Sequence, residues 1–323
     1  MATPPLSNLD LINACDVFPY APSEAHSAQL DHLVHFRIAA IPTTTLGLML
    51  PSVAMTFEHL PDWELDLDST PRTLTLTAGT DAPTRSAAMA KTTAAMRATG
   101  HFAILRKWRD ELYAVYGPEG KEMLRLERSA SQLFGVVTYG VHMTAFRRES
   151  GGLSIWVPRR AANKQTFPSM LDNSVAGGIS AGEAPWNCLM RECLEEASLP
   201  EDIAQKAVEV GAVTYFYVSG ARSGGEERLL QPECQLVYDL DLTGLEVELK
   251  PNDDEVEGFE VMDVELVKSA LARGEFKPNC ALVMLDFLIR HGEVTPRNEK
   301  AYLDIVARLH RKLEFPMAEF PVE

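Results

Sequence analysis

The chain has 323 residues, a formal net charge of −16 and 46% hydrophobic residues, enough apolar material to fill the cores of two domains. That charge argues against a nucleic-acid backbone as partner, since such binding needs clustered Lys and Arg, and it means that any anionic ligand must be neutralised locally. The cysteines Cys15, Cys188, Cys193, Cys234 and Cys280 form no CxxC pair, the start has no signal-peptide pattern, and Pro42 and Pro51 interrupt the most apolar stretch. A cytoplasmic protein is therefore expected, with the nucleus as the other compartment and no membrane partner.

In chain order, residues 6–15 read as a short helix, 33–57 as mixed apolar segments, 72–77 as a strand and 84–99 as a helix. Residues 108–116 and 122–126 read as a hairpin turning at 117–120. Nothing in this part carries a catalytic pattern. A boundary near Ser131 divides a smaller α+β domain, 1–130, from a second domain, 131–323. The second domain alternates: strands at 139–147, 153–158 and 174–178, a helix, strands at 208–218 and 231–242, then helices at 264–273, 279–291 and 299–312.

The segment GGISAGEAPWNCLMRECLEEASL, residues 177–199, carries the chemistry. Gly177, Gly178 and Gly182 keep its start pliable, Pro185 suits a first helical turn, and good helix formers follow. Glu192, Glu195 and Glu196 then stand three and four residues apart, so their carboxylates crowd one helix face. Like charges so placed destabilise a bare helix and suit a divalent cation. Oxygen-only ligands point to a hard ion, Mg2+ or in its place Mn2+, completed by water and substrate phosphate oxygens. Arg191 can pair with Glu195 one turn on, and Glu183 lies two turns earlier on nearly the same side, a buttress for the metal carboxylates. A solvated acidic helix is the plainer reading of paired glutamates. The six charged and glycine positions together would arise by chance in ~1 chain in 10^5 at average residue usage, which favours function.

The run resembles the Nudix box, G-x5-E-x7-R-E-U-x-E-E-x-G-U, through Gly177, Glu183, Arg191, Glu192, Glu195, Glu196 and Leu199. Cys193 fills an aliphatic slot, and Ser198 stands where the family has glycine. The resemblance implies a mixed-sheet α/β/α sandwich, Gly177 with Glu192, Glu195 and Glu196 at the metal, and Glu183 as a structural member of the box. It implies Arg191 and Glu192 as catalytic groups, with Glu255 and Glu257 near the position of a loop acid. Arg160 and Lys164, between a strand and the box, would neutralise phosphate. Residues 108–116, 133–146, 169–183 and 274–292 are similar to a fungal and plant Nudix subfamily related to thiamine pyrophosphokinase, with an N-terminal domain of unknown role.

That subfamily resemblance implies hydrolysis of damaged thiamine diphosphate, the oxo and oxy forms, to monophosphate and phosphate: cofactor repair by a diphosphatase. Kinase activity is not expected, for there is no GxxxxGK[ST] loop. Other nucleoside diphosphate derivatives, ADP-ribose or NADH, and a non-catalytic sensor on the same fold are the competing readings. The isomerase variant of the fold would need a cysteine in the pocket, and none outside the box helix has an evident claim. His142 and the aromatics Tyr139, Phe146 and Trp186 are expected to pack in the core. The first domain is expected to wall one side of the pocket.

Overall fold

The computed structural model describes residues 4–320 except Gln165 and Asp253. Its first half is built around a four-stranded sheet of β1 (Val34–Ile38), β2 (Gly47–Met49), β3 (Trp63–Asp66) and β4 (Thr73–Leu76), in the order β2-β1-β4-β3, with β1 and β4 parallel. A hairpin of β5 (Leu112–Tyr116) and β6 (Glu122–Glu127) completes this half. Aromatic rings fill its core: Phe57 meets Trp63 edge-on at 4.7 Å, and the buried indole N–H of Trp63 donates to Thr92 at 3.0 Å.

Among the helices of eight residues or more are α1 (Asn8–Cys15), α2 (Glu24–His32) and α3 (Ala82–Thr99) in this half, then α4 (Pro185–Ala197), α5 (Val264–Ala272), α6 (Pro278–Arg290) and α7 (Tyr302–Leu309). Asp81 caps α3 reciprocally with Thr84, and Gly100 ends it in the left-handed conformation that glycine adopts at little cost.

The second half is a mixed sheet of β7 (Thr138–Glu149), β8 (Gly152–Arg160), β9 (Val175–Gly178), β10 (Val208–Val218), β11 (Leu230–Asp241) and β12 (Val256–Asp263), ordered β10-β11-β7-β8-β12. β7 is shared along its length: its first part pairs with β9 and its last part with β8. Strand alternation gives the sheet two buried faces. Tyr139, Val141 and Met143 pack with Cys188, Leu189 and Cys193 of α4, whereas Phe146, Val213, Tyr215 and Val237 pack with α1, α5, α6 and α7. The result is the α/β/α sandwich, with α4 on the face that carries the box.

Three features depart from the sequence expectation. Leu11, Ile12 and Cys15 of α1 join the core beside α6, and Asp16 accepts from buried Arg311 at 2.9 Å, so the first helix packs with the second half. Helix α2 was not anticipated; its one buried residue is His26, so it lacks an apolar stripe. Strand β12 was also missed. The acidic run at 253–257, of which Asp253 lies outside the described residues, leads into this edge strand rather than following the last one. With Glu257, Glu260 and Val261 exposed, β12 shows no clean apolar alternation.

Candidate active site

The box folds as strand β9, a loop and helix α4. Pro185 occupies the first turn of α4, and Ser198 closes it at φ 51°, ψ 29°, while Leu199 N–H reaches back to the Cys193 carbonyl at 3.1 Å. Serine therefore takes the left-handed position that glycine fills in the family pattern, at a cost of about 1 kcal/mol.

Glu183 sits in the loop before the helix rather than on it, and still reaches Arg191: Nε and Nη2 donate to its two oxygens at 2.9 and 3.1 Å. Arg191 Nη1 donates to Glu192 at 2.7 Å and to Glu195 at 3.0 Å. One guanidinium thus fixes three carboxylates. Glu196 accepts the Ala176 N–H at 2.8 Å, which ties the helix to β9. Gly177 is required by contact: a Cβ there would stand 2.0 Å from Glu192 Oε1.

The electrostatics are those of carboxylates held out of water. Burial is the main cause that lifts Glu192 to about 7, against the opposing pull of Arg191. Burial, with Glu192 and Asp172 adding repulsion, places Glu196 well above the carboxylate range. Arg191 is already committed, so a proton or a metal cation must relieve this repulsion, and the all-oxygen set Glu192, Glu195 and Glu196 fits a hard divalent ion.

Beside β9 lies a cavity of about 250 Å³. Ala176, Gly177 and Gly178 form one edge, and Lys107, Arg109, Arg128, Arg160, Lys164 and Lys277 ring it. Arg160 donates to Asp172 at 2.6 Å and to the Thr166 and Phe167 carbonyls. Burial would raise Asp172, but Lys277, Arg160 and the Cys280 thiol hold it far below the usual range. Lys164 pairs with Glu255, whose carboxyl is lowered because that pairing outweighs its burial.

Of the residues singled out in the sequence, Gly177, Arg160, Lys164 and Glu255 line the cavity. Glu183, Arg191, Glu192, Glu195 and Glu196 form the carboxylate cluster behind β9. Glu257 is exposed on β12 and does not line the cavity, whereas Glu255 does. Phe146 and Trp186 pack internally, against Phe287 and Tyr238; Tyr139 is buried yet contributes to the wall, as does His142, which burial lowers to about 4.

Nothing in the first half reads as catalytic and it was expected to wall the pocket; Lys107, Arg109 and Arg128 of this half line the cavity. Isolated cations on short segments give no periodic signal. Cys15 and Cys280 also line the cavity, contrary to expectation, and burial raises both thiols far above their ordinary range, so neither is a thiolate nucleophile. His142, Asp172 and Cys280 lie within 4.8 Å of one another. Asn173 bonds His142 and Arg160 pairs with Asp172, so this group is already satisfied internally.

The three-layer fold, with a carboxylate-bearing helix beside a cation-ringed cavity, is the arrangement that the box resemblance implies. Residues 138–280 match the model of the NUDIX domain, and residues 10–138 match a domain of unknown function, DUF4743. The uncharacterized protein YJR142W of Saccharomyces cerevisiae is 41% identical over 219 residues, covering 66% of this chain and 64% of that protein. Nudix hydrolase 20, chloroplastic, of Arabidopsis thaliana is 36% identical over 215 residues, 66% of this chain and 55% of that protein. The chain thus spans between 55% and 64% of the length of these relatives. A solved protein, DR0079 of Deinococcus radiodurans, is similar at 23% identity with a TM-score of 0.38, covering 54% of this chain and 98% of that one; at that level the likeness carries no argument. The chain thus carries a segment that matches the NUDIX domain behind one that matches DUF4743, and it is similar to plant Nudix hydrolases. No helix among the described residues is long and apolar enough to cross a membrane.

Proposed function

We propose that this protein hydrolyses the diphosphate of a small molecule with the help of a divalent cation, Mg2+ or Mn2+, and that damaged thiamine diphosphate is its preferred substrate. The observation that carries the first part is the cavity: six cations surround it in a chain of net charge −16, and its edge is the strand under which the box carboxylates lie. Such a concentration of positive charge suits an anion with several oxygens.

Glu192, Glu195 and Glu196 would hold the cation, which when bound supplies charge neutralisation at the diphosphate and a more acidic water. Arg191 keeps Glu192 and Glu195 in place, and the Ala176 N–H holds Glu196. Arg160 and Lys164 neutralise the phosphate oxygens, and Arg128, stacked 5.5 Å from the Tyr113 ring, adds charge from the first half. Glu255, kept ionised by Lys164, accepts the proton of the attacking water at the cavity wall. The thiamine assignment is supported by the subfamily resemblance, which spans both halves of the chain. The ligand is small, and no nucleic-acid or membrane partner is invoked. Five buried free thiols suit a cytoplasmic setting.

The test is phosphate release with Mg2+ from oxythiamine, oxothiamine and thiamine diphosphates, ADP-ribose and NADH, compared by kcat/KM. The damaged thiamine forms are expected to lead. A lead for ADP-ribose or NADH would overturn the substrate while keeping the chemistry, and no turnover of any would favour a binding module.

A further inference from the structure

The hairpin of β5 and β6 lies in the segment that matches DUF4743, and its open end rests on the loop between β9 and α4. Antiparallel pairing sets Leu112 opposite Glu127, so Glu111 and Arg128, the next residue on either side, come together. The Arg128 N–H donates to the Glu111 carbonyl at 2.8 Å. From this end three contacts reach the box loop. The Leu112 carbonyl accepts the Ala181 N–H at 2.7 Å, and Glu111 Oε1 accepts from the Ser180 hydroxyl at 2.9 Å. The Tyr113 hydroxyl fills the space beside Gly178, where a Cβ would stand 2.0 Å from it. Glu111 divides its oxygens, for Oε2 accepts from Arg128 Nη1 at 2.7 Å.

Ser180 is also where the loop grips the box. Its N–H donates to Glu183 Oε2 at 3.3 Å, and its carbonyl accepts the Glu183 N–H at 2.9 Å. Glu183 holds Arg191 with both oxygens, and Arg191 holds Glu192 and Glu195. A continuous polar chain, Glu111–Ser180–Glu183–Arg191, thus runs from the first half to two of the three carboxylates assigned to the cation. The pair of Arg128 and Glu111 is itself partly exposed, at 40% and 24% of their side chains, so it adds little to stability. Its consequence lies at the two places it joins: the box loop, and the cavity wall that Arg128 lines.

We propose that Glu111 is a positioning residue for the metal carboxylates, holding the box loop through Ser180 with one oxygen and Arg128 at the cavity with the other. The DUF4743 segment is thereby part of the site. Groups behind the ligands set how well they converge on a cation, and Glu111 extends that support one step beyond Glu183 and Arg191. The inference rests on the reading of Glu192, Glu195 and Glu196 as cation ligands.

The experiment is Mn2+ binding to the metal-free full chain, followed by the electron paramagnetic resonance signal of the free ion, alongside thermal melting. Glu111→Ala is expected to weaken binding about fivefold, the size of one hydrogen bond. Its melting temperature is expected to stay within about 3 °C of wild type. Glu111→Gln, whose amide oxygen can still accept from Ser180, should regain most of the affinity, which a role in packing alone would not predict. Ser180→Ala should weaken binding as Glu111→Ala does, and the double variant should be no weaker, since both changes cut one link. Unchanged affinity in Glu111→Ala, no rescue by Gln, or losses that add in the double variant would overturn the proposal. Should Glu111→Ala not fold, Ser180→Ala decides, and unchanged Mn2+ affinity there overturns it. Wild type that binds no Mn2+ would sink the cation reading and this inference together, whereas binding indifferent to Glu111 and Ser180 sinks the inference alone.

Discussion

Glu196→Gln is expected to lower kcat at saturating Mg2+ by about 10^2 to 10^3-fold while leaving the protein folded. The amide can still accept the Ala176 N–H that the carboxylate accepts at 2.8 Å, so the tie between α4 and β9 survives the change. What is lost is negative charge at a position crowded by Glu192 and kept from water. A neutral amide is a weaker ligand for a hard cation, so the Mg2+ concentration that gives half the maximal rate should rise as well. Steady-state kinetics across an Mg2+ series checks this. Activity unchanged at saturating Mg2+ would remove Glu196 from the site.

The second large effect is a pH dependence of stability in the metal-free protein. Glu192 is raised from 4.5 to about 7 by burial, opposed by Arg191. A carboxyl whose folded value lies above its unfolded one contributes stability that is fully present below pH 4.5 and is lost as the pH rises through about 7. The shift corresponds to about 3 kcal/mol. His142 and His35, lowered to about 4 by burial, act oppositely, losing stability as the pH falls from 6.5 toward 4. Urea unfolding of wild type and Glu192→Gln in EDTA therefore has to be compared as a difference. Wild type minus variant should fall by about 3 kcal/mol between pH 4.5 and 8 and then level off. Mg2+ should stabilise wild type most at the alkaline end, where the carboxylates are ionised. A flat difference would mean that Glu192 is not held as an uneasy carboxylate.

Much of this was legible in the sequence because helix periodicity and turn chemistry are local. The box helix, the strands on either side of it and the crowding of Glu192, Glu195 and Glu196 follow from spacing alone. The cavity does not. Arg128 and Lys277 are 149 residues apart in sequence and meet only through the fold. Helix α1 looked like part of the first half because chain order is all that a sequence offers, whereas its stripe of Leu11, Ile12 and Cys15 found its partner in α6.

One signal was available and went unread. In QPECQ, residues 231–235, polar side chains alternate with buried Pro232 and Cys234 inside what was already expected to be a strand of the second domain. A polar face on an interior strand calls for a partner, and here it lines the cavity. Glu257 shows the converse: proximity to an expected acid is not position, since the register shifts between Val256 and Gly258 and the Glu257 side chain is exposed.

The measurement that bears most directly on the central claim is a 31P NMR time course of oxythiamine diphosphate with the purified protein and Mg2+. The account predicts that the two diphosphate resonances decay together, in step with growth of a monophosphate resonance and of inorganic phosphate, and that excess EDTA stops the conversion. Diphosphate resonances that persist unchanged with Mg2+ present, while the protein is folded, would contradict it.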